Sequence, residues 1–450
     1  MIVPQNISDR LLAECLNRPQ AFEHLRRLCD EVGGRVSGAD SGRRAEEWGF
    51  KLFSDWGLDD VRYEDVPVTV WTRGSLEVVA TDPSAWTLIA MAHGNAPSRA
   101  DVAAEVLDVD HAERCDFERL GHEVQGKVAL CDEGVGEGHR ALHRTEKLKL
   151  AVEHGAAGLM IYSSASGGLP RTGVCHYGEA PIPSMGISQE DGERLKRLIK
   201  GGARPKVRIT MRNSIANGVG RNVLADLRGS RLPGEVVLAG GHLDSWDVSQ
   251  GATDNGLGSA IVLEMAHATA AVGVRPKRTM RFALWAAEEI GLCGSHEYVR
   301  RHKDELDDVC GVLNFDMTGD PFGYWTPGHK EPAPMLKGLA SQLAGLGMRG
   351  DHSHRAGLHS DHQPFMLEGV PVVSLMASLQ GEGGHYYHSV GDTFEKVSLP
   401  GLCRAAAVGA HTMWAIADAD VRPYARLSRD EVEAMIEEAD LREALAAEDV

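Results

Sequence analysis

The sequence predicts an α/β fold: a main domain with a central mixed, mainly parallel sheet flanked by helices, and a second domain inserted into it. Between residues 206 and 423, short apolar runs alternate with helix-like segments, which is the pattern of a sheet covered on both faces. Between 68 and 205 the pattern changes to short strand-like runs separated by loops. A chain of 450 residues is also too long to fold around one small hydrophobic core, which favours two domains.

The composition is that of a globular protein and argues against several function classes. Hydrophobic residues make up 43% of the chain and charged residues 25%, which is ordinary. The net charge of −18 lacks the basic excess of a nucleic-acid-binding surface. No apolar run approaches the roughly 20 residues that span a bilayer, and the start, MIVPQNISDRLL, is too polar for a signal peptide. We therefore expect a cytoplasmic protein with no nucleic-acid or membrane partner.

The eight cysteines are scattered and include no C-x-x-C pair. In a long chain that we expect to be cytoplasmic, this spacing favours buried free thiols over a disulfide framework. Nothing in their spacing suggests a metal site.

Residues 1–67 are assigned to the main domain and are predicted to be helical almost throughout. Phe22 and Leu25 stand at helical spacing, and a second helix fits 45–56. The glycine-rich break between these helices, at 33–42, is expected to be a surface loop.

The inserted domain is assigned to residues 68–205. Strands are predicted at 126–130 and 158–162, with a helix at 147–154 between them. The segment contains no compact group of potential ligands. Three polar residues lie near one another in sequence and are interpreted as a solvated face: His139, His143 and Glu146.

The main part of the catalytic domain, 206–423, contains a series of predicted strands. They are 222–227, 236–239, 279–285, 309–314 and 371–375, and a helix-like segment at 256–271 follows the second. Open α/β sheets collect functional groups at the carboxyl ends of their strands.

Four of these strands are followed by residues that can bind a metal: His242 and Asp254, then Glu288 and Glu289, then Asp316, then His385 and His388. Each alone has a structural explanation, since acids favour helix starts and turns. Together, at the edge of one sheet, they predict a cation, because a sheet cannot bury so many unpaired acids and imidazoles. Imidazole nitrogen and carboxylate oxygen are ligands that zinc accepts, and a catalytic site leaves one position for water.

The tail, 424–450, is predicted to be an acidic helical segment. Ser428 and Glu431 form a capping-box pair ahead of Val432 and Met435. The acidic run is interpreted as a solvated face, with partner binding as the alternative.

Several segments together resemble the M28 family of co-catalytic zinc peptidases. They are HLDSWDVSQGATDNGLGSA, RPKRTMRFALWAAEEIGLCGS, the strand before Asp316 and YYHSVGDTF, and the resemblance extends over about 20–420. It implies a zinc-peptidase domain, and it identifies 68–205 as similar to a protease-associated insert that shapes access and partner contacts. It also implies a homodimer, and two-fold dimers are the commonest soluble oligomers.

The resemblance implies two zinc ions per chain and a role for each matching residue. His242 and Asp316 would hold one zinc, Glu289 and His388 the other, and Asp254 would bridge both. The general base would be Glu288. The resemblance also implies that Asp244 accepts a hydrogen bond from His242 and that Tyr387 donates one to the reacting carbonyl. The loop of Ser360, Asp361 and His362 would pack against the metal ligands. The peptide bond between Asp254 and Asn255 would be cis.

We therefore predict a zinc-dependent peptidase of small substrates, a dipeptidase, aminopeptidase or carboxypeptidase. One alternative is an amide hydrolase that deacylates a small non-peptide metabolite. Another is a non-catalytic M28-like binding protein, which would show missing ligands. Here all five ligands and the base are present, so the enzyme is favoured.

Overall fold

Strands and helices alternate along the chain in the computed structural model, which describes residues 2–379 and 383–448. The helices are α1 Gln5–Leu12, α2 Ala21–Arg27, α3 Asp40–Asp55, α4 Arg114–Leu120, α5 Arg144–Glu153, α6 Gln189–Lys200, α7 Leu257–Ala271, α8 Cys293–Arg301, α9 Pro334–Gln342, α10 Gln363–Leu367, α11 Gly383–Tyr386, α12 Leu399–Asp418, α13 Arg429–Glu438 and α14 Arg442–Glu448. The strands are β1 Asp59–Asp82, β2 Trp86–Thr87, β3 Ala90–Ala92, β4 Arg99–Asp108, β5 Val128–Asp132, β6 Gly158–Tyr162, β7 Ser184–Ile187, β8 Lys206–Leu227, β9 Leu232–His242, β10 Arg278–Trp285, β11 Val309–Asn314, β12 Asp320–Trp325, β13 Asp351–Ser353 and β14 Ser374–Ser378.

A mixed sheet of eleven strands runs through both domains. Its order is β11-β9-β10-β8-β4-β5-β6-β7-β3, with β1 paired to β8 and β2 to β1. Strand β9 is parallel to both β10 and β11, whereas β8 is antiparallel to β10. The predicted α/β class with a mixed central sheet is confirmed. Among the described residues, no helix combines the length and the apolar character that crossing a bilayer requires.

Two long strands connect the inserted domain to the main domain. Strands β1 and β8 pair from Asp59 opposite Asp226 to Asp82 opposite Lys206. One end of β8 pairs with β10 of the main domain, and the other end pairs with β4 of the insert. The predicted border at residue 67 therefore lies inside β1, and the predicted helical character of 59–66 is wrong, because this segment is extended and paired.

Each domain buries its own apolar core. In the main domain α7 and α12 pack on the sheet, with Ile261 and Val408 fully buried. In the insert, Met160 and Leu195 belong to a separate cluster. Trp246, from the loop after β9, also belongs to the insert's cluster, so this side chain joins the two domains.

Most predicted strands of the catalytic domain are confirmed, but the one at 371–375 is wrong in place and in sheet. Strand β14 lies in a separate three-stranded sheet with β12 and β13. In the described part of the chain, the predicted strand 371–375 meets β11 through an isolated bridge between Val312 and Val372. The neighbouring Pro371 has no N–H to donate, so a longer ladder is not available there.

The tail packs against both domains. The predicted capping box is confirmed, with Ser428 and Glu431 at the start of α13. Val432 and Met435 are buried, while Glu437 and Glu438 face solvent as predicted. Helix α14 lies against α5 of the insert. All eight cysteines are free, as predicted, and all except Cys115 and Cys293 are buried.

Candidate metal centre

Three parallel strands end at one edge of the sheet and bring the predicted ligands together. His242 is the last residue of β9, and Asp316 follows the end of β11. Glu288 and Glu289 follow β10. Because parallel strands place their carboxyl ends on the same side, these side chains meet in one crevice.

Asp254 lies at the centre of this crevice. Its Oδ1 is 3.2 Å from His242 Nε2, and its Oδ2 is 3.0 Å from His388 Nε2. One carboxylate therefore faces two imidazole nitrogens, one with each oxygen. Asp254 stands in the turn between β9 and α7, and its bond to Asn255 is cis, as the resemblance implies.

The remaining acids divide between the two imidazoles. Asp316 Oδ1 and Glu288 Oε2 lie 3.6 and 3.9 Å from His242 Nε2. Glu289 Oε2 lies 3.1 Å from His388 Nε2. The ligand atoms form two groups, each within 4.8 Å: His242, Glu288 and Asp316, and Asp254, Glu289 and His388. His385, by contrast, is exposed and contacts the Tyr386 ring.

The donors fit a cation of zinc's preferences. His242 Nε2 and Glu289 Oε1 are buried and have no hydrogen-bond partner among the described residues. Burial, followed by the Asp254 carboxylate, raises the pKa of Glu289 to about 7, and burial raises the pKa of Glu288 well above its usual range. The crevice thus gathers more carboxyl groups than its two imidazoles can pair with, on nitrogen and oxygen donors that suit zinc.

Both imidazoles are oriented through Nδ1. His242 Nδ1 lies 3.1 Å from the backbone carbonyl oxygen of Asp244, and His388 Nδ1 lies 3.2 Å from that of Thr172. A carbonyl oxygen can only accept, so each Nδ1 carries the proton and each Nε2 is left as a donor to metal. The Asp244 carboxylate is 3.6 Å from Nδ1 and accepts the N–H groups of Glu288 and Glu289 at 3.1 and 3.3 Å.

Asp316 is held from behind by a short chain of side chains. Ser360 Oγ donates to Asp316 Oδ2 at 2.6 Å, and Asn314 Nδ2 donates to Ser360 Oγ at 2.7 Å. The neighbouring Asp361 is 1% exposed, and burial raises its pKa to about 7. His362 instead contacts the Gly357 carbonyl and the Trp325 ring.

Asn255 joins the Asp254 turn to the Asp316 loop. Its Nδ2 donates to the Phe315 carbonyl at 2.8 Å, and its Oδ1 accepts the N–H of Met317 at 3.1 Å. Gly258 permits this close approach, because a Cβ there would overlap the Phe315 carbonyl oxygen. The two ligand-bearing segments are therefore fixed relative to each other.

Sequence reasoning missed Arg35, which it placed in a surface loop. The residue is fully buried, and its guanidinium donates to the carbonyls of Leu243, Gln250 and Gly251 at 2.7, 2.6 and 2.8 Å. It thus holds the loop that runs from His242 to Asp254. A basic residue between glycines was the available signal, but nothing local showed that the loop folds inward.

A cavity of about 440 Å³ opens onto the acids and is lined by both domains. From the insert come His143, Arg144 and Tyr177. The interpretation of His143 as part of a solvated face is therefore wrong, since helix α5 begins at the cavity. Tyr387 also lines it, with its ring stacked on His388 at 3.7 Å between centroids. Burial raises the pKa of Tyr387, so its hydroxyl stays protonated.

Comparison with known proteins assigns the family. Residues 222–413 match the model of peptidase family M28, and 91–195 match the PA domain. Carboxypeptidase Q from Bos taurus is 32% identical over 408 residues, which covers 89% of this chain and 85% of that protein. The chain belongs to peptidase family M28. This confirms the predicted metallopeptidase and its inserted protease-associated domain. It also confirms the likeness to carboxypeptidase Q, which the sequence motifs indicate as well.

Solved structures agree with this M28 assignment. The peptidase M28 precursor from Shewanella amazonensis is 25% identical with a TM-score of 0.83, covering 94% of this chain and 99% of that one. BSAP, a zinc aminopeptidase from Bacillus subtilis, shares the fold at 22% identity and a TM-score of 0.67, covering 91% and 98%. The roles of individual residues in this M28 peptidase stay predictions.

Proposed function

We propose that this M28 peptidase is an exopeptidase of small peptides that works with two zinc ions per chain. The observation that carries the proposal is the position of Asp254, whose two oxygens face two imidazole Nε2 atoms at 3.2 and 3.0 Å. His242 and Asp316 would hold one zinc, and Glu289 and His388 the other. Zinc and peptide substrates are supported by BSAP, a zinc aminopeptidase, and by carboxypeptidase Q.

When bound, the two zinc ions would supply Lewis-acid activation of a water and of the substrate carbonyl. Among the acids that form close pairs with the imidazoles, Glu288 is the farthest, at 3.9 Å from His242 Nε2, and it lines the cavity. Its carboxylate takes the proton of the attacking water and passes it to the leaving amine. Tyr387, stacked against His388, directs its hydroxyl proton to the carbonyl oxygen of the substrate.

Arg144 supplies a reason to expect a substrate with a free carboxylate. It lines the cavity and forms no ion pair with the described residues, and its buried Nε has no hydrogen-bond partner among them. The guanidinium lies against Gly173, where a Cβ would overlap it. A guanidinium that is unpaired in a binding cavity suits a carboxylate from a ligand, because Arg binds carboxylates through two parallel hydrogen bonds.

The deciding experiment compares three kinds of substrate on the zinc-loaded chain: free dipeptides, the same dipeptides amidated at the C-terminus, and N-acyl amino acids. We expect the free dipeptides to have the highest kcat/KM. Arg144→Met should raise KM for free dipeptides and leave the amidated ones unchanged. Activity on N-acyl compounds alone would establish the deacylase instead.

The number of zinc ions is tested separately through Asp254. Elemental analysis of the intact chain should give two zinc ions, and Asp254→Ala should lose zinc and activity together because one carboxylate serves both sites. Two retained zinc ions in this variant would show that Asp254 is not the bridge.

We also propose that the chain is a homodimer, as the M28 resemblance implies. Light scattering should give about twice the 48.6 kDa mass of one chain. A mass near 48.6 kDa throughout the micromolar range would exclude the dimer. The cytoplasmic location and the lack of nucleic-acid and membrane partners stay predictions.

A further inference from the structure

The inserted domain touches one of the proposed metal ligands directly. Thr172 is fully buried, and its backbone forms two hydrogen bonds with His388, one to the imidazole and one to the backbone. His388 Nδ1 donates to the Thr172 carbonyl at 3.2 Å, and the Thr172 N–H donates to the His388 carbonyl at 2.9 Å. His242 finds its Nδ1 acceptor two residues away at Asp244. His388 takes its acceptor from the other domain, 216 positions away in sequence.

Thr172 is in turn held by Arg73. Its hydroxyl donates to the Ala92 carbonyl at 2.9 Å and accepts from Arg73 Nη2 at 3.1 Å. Arg73 also donates to the same Ala92 carbonyl through Nη1. The backbone of Thr172 is therefore fixed by one guanidinium that contacts its side chain and the neighbouring strand end.

The same guanidinium reaches back to the main domain. Arg73 Nε and Nη2 donate to the Asp247 carboxylate at 3.0 and 2.9 Å. The side chains of Arg73 and Asp247 are 15% and 33% exposed. Asp247 lies on the loop between His242 and Asp254, so the pair ties the insert to the segment that carries two other predicted ligands.

Trp246 reinforces the same junction. Its ring meets the His388 ring edge-on, with centroids 6.1 Å apart. On the other side it packs against Gly94 of the insert, where a Cβ would overlap the indole. Trp246 thus connects the His388 ring to the core of the insert.

We propose that Asp247, Arg73 and Thr172 form a positioning chain through which the inserted domain sets the orientation of His388 and the zinc affinity of its site. The proposal rests on the metal-binding role proposed above for His388. An acceptor for the distal N–H of a ligating imidazole fixes both its tautomer and its ring plane, and loss of such a partner typically costs about 10- to 100-fold in metal affinity. The zinc held by His242 has its own acceptor and should be much less sensitive.

The test measures the two zinc dissociation constants by competition with a chromophoric chelator. The variants are Arg73→Met, which keeps the length of the side chain, and Thr172→Val, which keeps its shape. A matched control is Arg208→Met, because the Arg208–Asp101 pair also lies on the insert, at 3.1 Å, but is 59% and 50% exposed and does not line the cavity. Thermal unfolding of each metal-loaded variant shows whether it is folded.

We expect Arg73→Met and Thr172→Val to weaken one zinc site by about 10- to 100-fold and the other by less than about three-fold. Arg208→Met should change neither, and Arg73→Lys should recover part of the loss. A general loss of packing would weaken both sites together and would overturn the proposal. So would wild-type affinities in a folded Arg73→Met variant.

His388→Ala separates this proposal from the one on which it rests. If His388→Ala loses one zinc while Arg73→Met binds both normally, His388 is a ligand but the positioning chain is wrong. If His388→Ala retains both zinc ions at wild-type affinity, the ligand assignment itself fails. With cobalt(II) in place of zinc, the same comparison is visible as a change in the absorption spectrum of one ion.

Discussion

Asp392 Oδ2 accepts the backbone N–H of Asp254 at 3.0 Å, so the residue that faces both imidazoles is held from behind by an acid 138 positions further along the chain. The other oxygen of Asp392 accepts the N–H of Thr253 at 2.8 Å. A carboxylate that receives two successive N–H groups fixes the turn on which Asp254 stands. The position of the Asp254 carboxylate therefore depends on Asp392, whose described hydrogen bonds go to backbone N–H groups and not to an imidazole.

Asp392→Asn should weaken zinc binding at both sites. The amide keeps one acceptor oxygen but turns an NH₂ group towards a backbone N–H, so one of the two hydrogen bonds is lost. We expect total zinc affinity to fall by about 10-fold or more, measured as zinc retained per chain after dialysis against a chelator. Glu395→Gln, an exposed change nearby, is the control, and equal retention in both variants would contradict the argument.

Replacing each of the adjacent glutamates by glutamine should affect zinc binding in one variant and turnover in the other. Glu289 lies 3.1 Å from His388 Nε2, whereas Glu288 stays 3.9 Å from His242 Nε2 and faces the cavity. Glu288→Gln should keep two zinc ions and lose about 10²–10⁴-fold in kcat, the usual contribution of a general base. Glu289→Gln should lose zinc and regain some activity when zinc is added in excess.

Zinc stoichiometry and kcat are measured on both variants side by side, because either quantity alone leaves the roles ambiguous. Near-native turnover in Glu288→Gln, or loss of zinc from that variant rather than from Glu289→Gln, would reverse the assignment of base and ligand.

The sequence was sufficient to predict that acids and imidazoles meet at one edge of the sheet, because several of them closely follow strands. His242 and Asp316 stand at the ends of apolar runs that can only be strands of one sheet, and a strand end fixes where the next side chain can lie. The local capping box at Ser428 was predictable for the same reason, since its partners are three residues apart.

What the sequence could not show are contacts between distant segments. Arg35 and Asp392 act on backbone groups far away in sequence, and no periodic pattern records such a pairing. His143 was wrongly assigned to a solvated face because no local pattern in the sequence shows that helix α5 of the insert begins at the cavity. The approach of Thr172 to His388 depends on how two domains dock, which is decided by β1 and β8 continuing through both.

Ser360→Ala should weaken the zinc site of His242 selectively. Its hydroxyl donates to Asp316 Oδ2 at 2.6 Å and is itself supported by Asn314, so the change frees the Asp316 carboxylate to rotate. We expect about a 10-fold loss of affinity at one site, read by chelator competition. Ser360→Thr keeps the hydroxyl and should retain most of the affinity. An equal loss at both sites would show that the loop, rather than the hydrogen bond, is responsible.

Stability should depend on pH through a pair of residues that belongs to neither candidate ligand group. His302 Nε2 lies 3.0 Å from Glu64 Oε1, with 17% and 8% of the two side chains exposed. The hydrogen bond with Glu64 raises the pKa of His302, against the opposing effect of burial. For Glu64, burial acts to raise the pKa, but the hydrogen bond and the charges of His302, Arg62 and Arg301 outweigh it and lower the pKa overall. Glu305, 3.1 Å from His302 Nδ1, also raises the pKa of His302.

The direction of the pH dependence follows from which protonation state of each group the folded protein stabilises. A raised imidazole pKa stabilises the fold fully below the unfolded value of about 6.5, and this contribution is lost as pH rises through the folded value. A lowered carboxyl pKa stabilises the fold above the unfolded value of about 4.3, and this is lost as pH falls through the folded value. The pair should therefore contribute most between about pH 4.5 and 6.5.

His302→Gln tests this window, because glutamine can keep a neutral hydrogen bond to Glu64 but cannot become charged. The variant should lose about 1 kcal/mol in its free energy of unfolding at pH 6, a value reduced for partial exposure. The difference from the wild type should shrink towards zero by about pH 9, where the wild-type imidazole is also neutral. Urea unfolding of the zinc-loaded protein at several pH values measures both. His354→Gln is the control, since its pair with Glu438 is 37% and 56% exposed and should contribute little. A difference that stays constant from pH 6 to pH 9 would mean that His302 acts through packing and not through its charge.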